Sequence, residues 1–253
     1  MEIIDTVLAR YIPTSTELLG GQLRRRKVSA GNEIGADYQI RKELPDILRE
    51  EVTKSGRDAA TFRVYGSVGQ INFPLSHVPW VSALLRKITT STTRGYYIVL
   101  LFREDMAGCV LSLNQGFTQY QEIFGTDLLA ERKAKEGAAL AATYLDVPFG
   151  FVRGEIDLAA TRDLGKGYEQ GAIISKVYAA GEPSMEALSG DFQILLDLYD
   201  VLYKRLGPSI IVNIPPPEEQ EFQQAATALS ANKGGKKKVP RAATWSRASA
   251  SSN

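Results

Sequence analysis

The sequence predicts an α+β fold followed by a disordered basic tail. Three observations support this prediction. Residues 95–113 have the pattern of a β-hairpin, residues 184–206 repeat apolar side chains at helical spacing, and the large aliphatic residues almost vanish after Pro215. We therefore expect a folded domain over residues 1–212 and a Pro-rich, then basic, linker or tail over residues 213–253.

The N-terminal region predicts two helices separated by a loop. Residues 1–12 place apolar side chains on one helix face, and Pro13 is expected to end that helix. Residues 14–35 are loop-like, and a second helix begins near Pro45 and closes near Gly56. The loop contains a basic run, which is either solvated surface or a set of phosphate contacts. The run consists of Arg24, Arg25, Arg26 and Lys27.

The most informative stretch covers residues 64–118. It opens with a glycine-punctuated loop at residues 66–72, and the predicted hairpin follows. The first strand covers residues 95–102, a polar turn covers 103–108, and the strand pattern resumes over 109–113. Its aromatic residues and glycines make this stretch the candidate functional unit of the chain.

The remainder of the domain predicts alternating helices and strands. Residues 126–144 are rich in Ala, Leu, Glu and Lys, as in a helix. Residues 149–158 and 172–178 have strand character, and a glycine-rich link at 165–168 joins them. The strongest helix signal in the chain lies at residues 184–206.

The composition excludes several classes of protein. A single cysteine, Cys109, and a single histidine, His77, cannot supply the three or four ligands of a protein zinc site or a disulfide framework. No run of 18 apolar residues and no secretory leader is visible, so we expect a cytoplasmic protein with no membrane partner. We also expect no cofactor.

The sequence does not predict an enzyme. An HNH nuclease needs at least two histidines, so that class is excluded. Asp46 and the Glu131-Arg132-Lys133 run carry the letters of a PD-(D/E)xK nuclease, but both fall in predicted helices with alternating charge and are interpreted as solvated helix faces. His77 lies in a proline-bounded loop, and the chain has no GxSxG elbow and no phosphate-binding glycine loop.

The charge is unevenly distributed. The chain carries a net charge of +1, but the six basic residues beyond Ser230 leave residues 1–230 at −5. A mildly acidic body does not favour a broad phosphate-neutralising face. Any contact of the body with nucleic acid must therefore be confined to a local patch.

The stretch 64–118 holds residues suited to inspecting a single base. An extruded base is held between aromatic or apolar side chains and read by amide groups. The candidates for this pocket are Trp80, Tyr96, Tyr97, Leu101 and Asn114. Strand alternation puts Tyr97 and Leu101 on one face and Tyr96 on the other, so only one set can line a pocket. Ordinary burial in a core is the alternative for these aromatic residues.

Spaced motifs across residues 62–206 resemble the McrB-like N-terminal domain family, which reads modified cytosine in DNA. The motifs are GSVGQ at 66–70, PW at 79–80, GYYIVLLF at 95–102, LSLNQG at 111–116 and GKGYE at 165–169. The resemblance implies a mixed α+β domain whose mostly antiparallel, curved sheet is flanked by helices. It also implies binding of double-stranded DNA that carries 5-methylcytosine or a related modified cytosine, by flipping that base.

The resemblance also implies roles for individual residues. Trp80 and Tyr97 would line the base pocket, Leu101 would contact the base or its methyl group, and a later pocket tyrosine would be Tyr168 or Tyr178. The residues of the DNA-entering loop would be Ser67, Val68, Gln70, Ile71 and Asn72. We expect phosphate contacts from Arg24, Arg25, Arg26, Lys87 and Arg94.

Recognition in such proteins is separate from cutting, so the chain is expected to act as the recognition module of a modification-dependent restriction system. An attached nuclease domain or a partner nuclease subunit would cleave. The alternative is a protein-interaction or scaffold domain whose basic tail touches nucleic acid nonspecifically.

Overall fold

The computed structural model describes residues 3–20, 36–69, 75–125, 127–218, 221, 223 and 224. Six strands form one antiparallel sheet in the order β1-β2-β3-β4-β6-β5, so β1 and β5 lie at its edges. The strands are β1 (Phe62–Ser67), β2 (Trp80–Leu85), β3 (Tyr96–Phe102), β4 (Gly108–Gln115), β5 (Val152–Arg153) and β6 (Ala172–Ala179). The predicted α+β class is confirmed.

Helices flank this sheet. They are α1 (Ile3–Gly20), α2 (Ala36–Tyr38), α3 (Leu44–Lys54), α4 (Thr118–Phe124), α5 (Asp127–Ala142), α6 (Asp163–Gly171) and α7 (Met185–Leu206). A π-helical stretch, Gln39–Glu43, joins α2 to α3. Within the described part of the chain, no helix is long and apolar enough to cross a membrane.

The sheet is buried on both faces. Strands β2, β3 and β4 are buried along their whole length, which is why their sequences are continuously apolar and not alternating. One side, here called the helix face, packs against α1, α3 and α7 and forms the main core. The other side, here called the strap face, packs against α6 and residues 156–161, here called the strap.

Tyr199 of α7 fixes the helix layer to the sheet. Its hydroxyl donates to the backbone oxygen of Tyr96 at 2.7 Å and accepts from the backbone N–H of Leu85 at 3.2 Å. Its ring meets those of Tyr96 and Phe62 edge-on, with centroids 5.4 and 6.5 Å away. One buried side chain therefore joins α7 to three neighbouring strands.

Several predicted elements are confirmed. Strands β3 and β4 form the hairpin, and β6, α3 and α5 lie where the sequence placed them. The helix predicted at 184–206 is α7, whose N-cap Ser184 accepts a hydrogen bond from the backbone N–H of Ala187 at 3.1 Å and whose C-cap is Gly207. Strands β1 and β2 and helix α4 were not predicted.

Two predicted boundaries are wrong. Helix α1 continues through Pro13 to Gly20. Pro13 removes only one backbone donor, and the packing of Ile4, Val7 and Tyr11 in the core stabilises the helix despite that loss. The strand predicted at 149–158 pairs with β6 only at Val152–Arg153, since the chain then leaves the sheet to become the strap.

The prediction of a glycine-rich link at 165–168 is wrong, and Gly66, the first residue of the loop predicted at 66–72, lies in a strand. Residues 165–168 lie in helix α6, where a Cβ on Gly167 would stand 2.5 Å from the ring of Phe117. Gly66 lies in strand β1, where a Cβ would overlap the backbone oxygen of Ile40. These glycines serve close packing and not chain flexibility.

The chain stays packed on the domain beyond the predicted boundary at residue 212. Ile214 is buried in a cluster with Tyr120 and Phe124 of α4. Glu221 forms ion pairs with the nearly buried Lys133 at 3.1 Å and with Arg132 at 3.3 Å. The predicted basic tail lies outside the described residues.

Cys109 should be chemically inert in the folded protein. Its side chain is fully buried on the helix face, and burial raises the pKa of the thiol to about 12. We expect the native protein not to react with a thiol reagent at mildly alkaline pH. The denatured chain should react with one equivalent of the reagent per chain, through its single cysteine. Fast labelling of Cys109 in the native protein would contradict the burial of strand β4.

The contact of Glu221 with α5 should make stability depend on pH. Burial alone would raise the pKa of Glu221, but the backbone N–H of Glu218 and the cations Lys133 and Arg132 outweigh it and hold the pKa below its ordinary value of 4.5. A carboxylate with a lowered folded-state pKa stabilises above its unfolded pKa, and this contribution is lost as the pH falls through the folded-state value.

Glu221→Gln should therefore lower the free energy of unfolding by about 1–2 kcal/mol at neutral pH. The difference from wild type should shrink as the pH falls below 4.5. Chemical denaturation across this pH range measures it. The exposed Glu218→Gln is the matched control, since Glu218 contributes its backbone N–H and no carboxylate contact. An equal loss in both variants would contradict the ion-pair explanation.

Candidate functional site

The strap face gathers four of the five predicted pocket residues. Trp80 on β2 lies opposite Leu101 on β3, and Tyr97 on β3 lies opposite Asn114 on β4. Residues paired across antiparallel strands point to the same face of the sheet. Residues distant in sequence therefore meet on three adjacent strands, around the small side chain of Ser82.

Tyr96, the fifth predicted pocket residue, does not belong to this group and lies on the helix face. Its ring packs against Tyr199 in the main core, and its hydroxyl donates to the backbone oxygen of Gly207 at 2.6 Å. The reason is the two-residue period of a strand, which sends neighbouring tyrosines to opposite faces. Tyr96 holds the helix layer, and only Tyr97 faces the strap.

The strap-face side chains are closely packed. Trp80 is 9% exposed, whereas Tyr97, Leu101 and Asn114 have no exposed surface. The hydroxyl of Tyr97 donates to the backbone oxygen of Thr92 at 2.8 Å, and burial raises the pKa of Tyr97 well above its usual range. Tyr97 is therefore a neutral ring in a fixed orientation, and Trp80 marks the rim of the site.

Asn114 links the sheet to helix α6. Its side-chain amide donates to the backbone oxygen of Tyr168 at 2.9 Å, and its oxygen accepts from the backbone N–H of Gln115 at 2.7 Å. The ring of Tyr168 packs against the strap-face cluster, and burial raises its pKa. Asn114 thus positions Tyr168 beside the aromatic cluster.

The two tyrosines considered for the later pocket position lie on opposite faces. Tyr178 lies on the helix face and donates to Asp191 at 2.6 Å. Tyr168 alone of the two lies on the strap face. The sequence could not decide which tyrosine lies on the strap face, because the glycines around Tyr168 predicted a loop where the structure has helix α6.

The strap is held over the site by carboxylates. Oε1 of Glu169 accepts from the backbone N–H groups of Leu158 and Ala160, at 2.8 and 3.3 Å. Between them Ala159 has φ of 52°, a left-handed conformation that costs free energy for a residue other than glycine. The strap is thus a bent segment that depends on its anchors, and its residues Ile156 and Leu158 cover the cluster.

A second anchor lies at the far end of the strap. Glu104 accepts from the backbone N–H of Thr161 at 2.8 Å and from its hydroxyl at 2.6 Å, and it contacts Nδ1 of His77 at 2.7 Å. Burial tends to raise the pKa of Glu104, but the bonds from Thr161 and His77 prevail and lower it. His77 therefore contacts a carboxylate that secures the strap.

The predicted DNA-entering loop is described only in part. Ser67 is half-buried and accepts a hydrogen bond from the backbone N–H of Gly69 at 3.1 Å. The side chain of Val68 is fully buried in the main core and does not point to the surface. The alternation of Phe62, Val64 and Val68 toward the helix face explains its position. The remaining loop candidates, Gln70, Ile71 and Asn72, lie outside the described residues.

The predicted phosphate contacts are distributed over the surface. Lys87 is exposed, with its ammonium 4.0 Å from the ring centroid of Tyr203, and Arg94 is exposed in an ion pair with Glu122 at 2.6 Å. The prediction for Arg24, Arg25 and Arg26 falls outside the described residues. Sequence reasoning missed Arg63 and Tyr65, although their alternation with Phe62 and Val64 was the signal that β1 presents them beside Trp80.

The nuclease-like residues serve as ion-pair partners within helices. Asp46 pairs with Lys42 at 3.0 Å and with Arg49 at 2.5 Å, and Lys133 pairs with Glu136 at 2.8 Å. Among the described residues, no group of three or more His, Cys, Asp and Glu side chains could hold a metal ion.

A cavity of about 360 Å³ lies next to the start of the strap. Its alanine-rich wall belongs to α5, and an ion pair between Lys135 and Glu155 at 3.0 Å lies at its edge. Trp80, Tyr97 and Leu101 do not line it. The cavity is therefore separate from the predicted pocket.

Comparison with known families finds one match. A family model described as "MrcB-like, N-terminal domain" matches residues 22–204. The match supports modified-DNA recognition and a restriction-system role at the level of the family, whose N-terminal domain is a DNA-binding module and not a catalytic one. No curated protein and no solved structure matches the chain.

The strap should loosen when Glu169 loses its carboxylate. In Glu169→Ala, the N–H groups of Leu158 and Ala160 lose their shared acceptor, so their hydrogen exchange should accelerate about tenfold or more. Glu169→Gln keeps an acceptor oxygen and should retain most of the protection. Unchanged exchange in the alanine variant would mean that Glu169 does not hold the strap and that its other contacts, including Glu104 with Thr161, suffice.

Proposed function

Since the chain belongs to the MrcB-like N-terminal domain family, we propose that it binds double-stranded DNA containing 5-methylcytosine or a related modified cytosine. The modified base is flipped out of the duplex and held on the strap face. The observation that carries this proposal is the convergence of Trp80, Tyr97 and Leu101 on that face.

The chemistry of these side chains suits a flipped base. Aromatic rings and an aliphatic side chain offer flat apolar surfaces, on which a base recovers the stacking that it loses on leaving the duplex. Leu101, with Val110 beside it in the cluster, offers an apolar contact for a methyl group. Tyr168, placed by Asn114, adds a further ring to the same site.

The base enters by displacing the strap. Trp80 keeps the exposed edge of the cluster, while Leu158 and Ile156 cover its interior. The strap lacks regular secondary structure, and carboxylates hold it at its middle, through Glu169, and at its C-terminal end, through Glu104. Its left-handed Ala159 makes it the least stable wall of the site, so opening it costs less than opening the sheet.

Recognition is the whole activity in this proposal. The chain acts as the reading module of a modification-dependent restriction system in the cytoplasm, and cleavage belongs to an attached nuclease domain or a partner subunit. A small pocket that reads one base suits such a module, because the nuclease then needs no sequence specificity of its own.

Binding to matched duplexes tests the proposal. The two duplexes differ in one cytosine methyl group, whose burial against apolar side chains is worth about 1 kcal/mol, or about fivefold in affinity. We expect wild type to prefer the methylated duplex by about that factor. Equal affinities would refute the proposed function.

Trp80→Ala and the milder Trp80→Leu should abolish the preference while the melting transition stays cooperative. Phe149→Ala is the matched control, since that aromatic side chain is fully exposed at a turn and contacts no pocket residue named above. Loss of folding in both Trp80 variants would assign Trp80 to the core and not to a pocket.

A further inference from the structure

A cation and two aromatic rings form a continuous row beside the candidate pocket. The guanidinium of Arg63 lies 4.4 Å from the ring centroid of Tyr65. The ring of Tyr65 in turn lies 5.2 Å from that of Trp80, at an interplanar angle of 76°. We call Arg63, Tyr65 and Trp80 the β1 row.

The β1 row lies on the strap face at one edge of the sheet. Tyr65 pairs with Ser82 and Ser67 pairs with Trp80, so Arg63 and Tyr65 share the face of Trp80 and Tyr97. Strand β1 has a neighbour on one side only. A long ligand can therefore approach the row from the open side without displacing a strand.

The charge of Arg63 is available for a ligand. Its side chain is exposed, one nitrogen donates to the backbone oxygen of Thr90 at 2.5 Å, and it forms no ion pair with a described residue. Arg57, Arg94 and Arg103 each face a carboxylate instead. Arg63 keeps further N–H donors, and Tyr65 holds its planar group in one orientation.

A second exposed guanidinium lies near the end of the row. Nε of Arg86 donates to the backbone oxygens of Ala60 and Phe62 at 3.1 and 3.2 Å, and Arg86 forms no ion pair with a described residue. The acidic body needs a local cationic patch for any contact with DNA. Arg63 and Arg86 supply one at the edge of the site.

We infer that Arg63 binds a backbone phosphate of the strand that carries the flipped nucleotide, with Tyr65 as its platform. This inference rests on the proposed function and adds a phosphate site next to the base pocket. Arginine suits a phosphate because its planar fork donates two parallel, charge-assisted hydrogen bonds. Since a phosphate contact carries no base information, Arg63 sets affinity and register, and the pocket sets the methyl preference.

Arg63→Gln tests the phosphate site. Binding to the methylated and the unmethylated duplex is measured over a series of salt concentrations. We expect affinity to fall about tenfold on both duplexes alike. The slope of log K against log salt should decrease by about 1, and the methyl preference should remain.

Two further variants control this measurement. Arg205→Gln removes an exposed arginine of α7 that forms no ion pair with a described residue and lies on the opposite side of the sheet, so this variant should bind as wild type. Arg63→Lys keeps the charge and should recover the salt slope. If Arg63→Gln fails to fold, Arg63→Lys supplies the comparison, since loss of the planar fork should still weaken binding to both duplexes.

The platform role of Tyr65 has its own test. Tyr65→Leu should weaken binding more than Tyr65→Phe, which keeps the ring. Tyr65→Leu should also reduce the methyl preference, because Trp80 loses its edge-on partner. Wild-type affinity and salt slope in Arg63→Gln would overturn the inference. Equal affinity of wild type for both duplexes would instead overturn the proposed function, whatever Arg63 does.

Discussion

Burial of the β3–β4 hairpin on both faces is the constraint on which the rest of this structure depends. A sheet that is buried on both faces needs a covering layer on each face, and each layer must pack against a different set of side chains. Tyr199 ties the helix layer to one face through hydrogen bonds to Tyr96 and Leu85. The strap and the short helix α6 cover the other face. The strap has no regular secondary structure, and it is secured by the carboxylates of Glu169 and Glu104 and by Arg103, which bonds to Asp157 at 3.0 Å. The two faces therefore differ in how firmly they are closed.

The two faces also differ in the clusters that they hold. The helix face holds the larger cluster, which includes the buried thiol of Cys109 and the tyrosines bonded to α7. The strap face holds a smaller cluster with Trp80 at its rim, and the β1 row extends that rim to an exposed cation. In the proposed function, the strap face opens to a base while the helix face keeps the fold.

Periodic patterns were the reliable part of the sequence. The helix α7 repeats apolar residues over six turns, and the hairpin is long, apolar and bounded by glycines, so both could be predicted. Glycine was misleading where it served close packing. Gly167 lies in a helix against Phe117, and Gly66 lies in a strand against Ile40. Nothing local distinguishes a glycine that permits close approach from one that permits a turn, because the neighbour that needs the space is distant in sequence.

The sequence by itself determined the α+β class, the alternation that separates Tyr97 from Tyr96, and the resemblance of its motifs to a DNA-reading family. Each of these follows from local period or from short ordered motifs. The tertiary structure alone decided that Tyr168 and not Tyr178 joins Trp80, that Val68 points into the core, and that Arg63 stacks on Tyr65. Those choices depend on strand register and on a helix crossing the sheet, and register is a property of paired strands that no single segment contains.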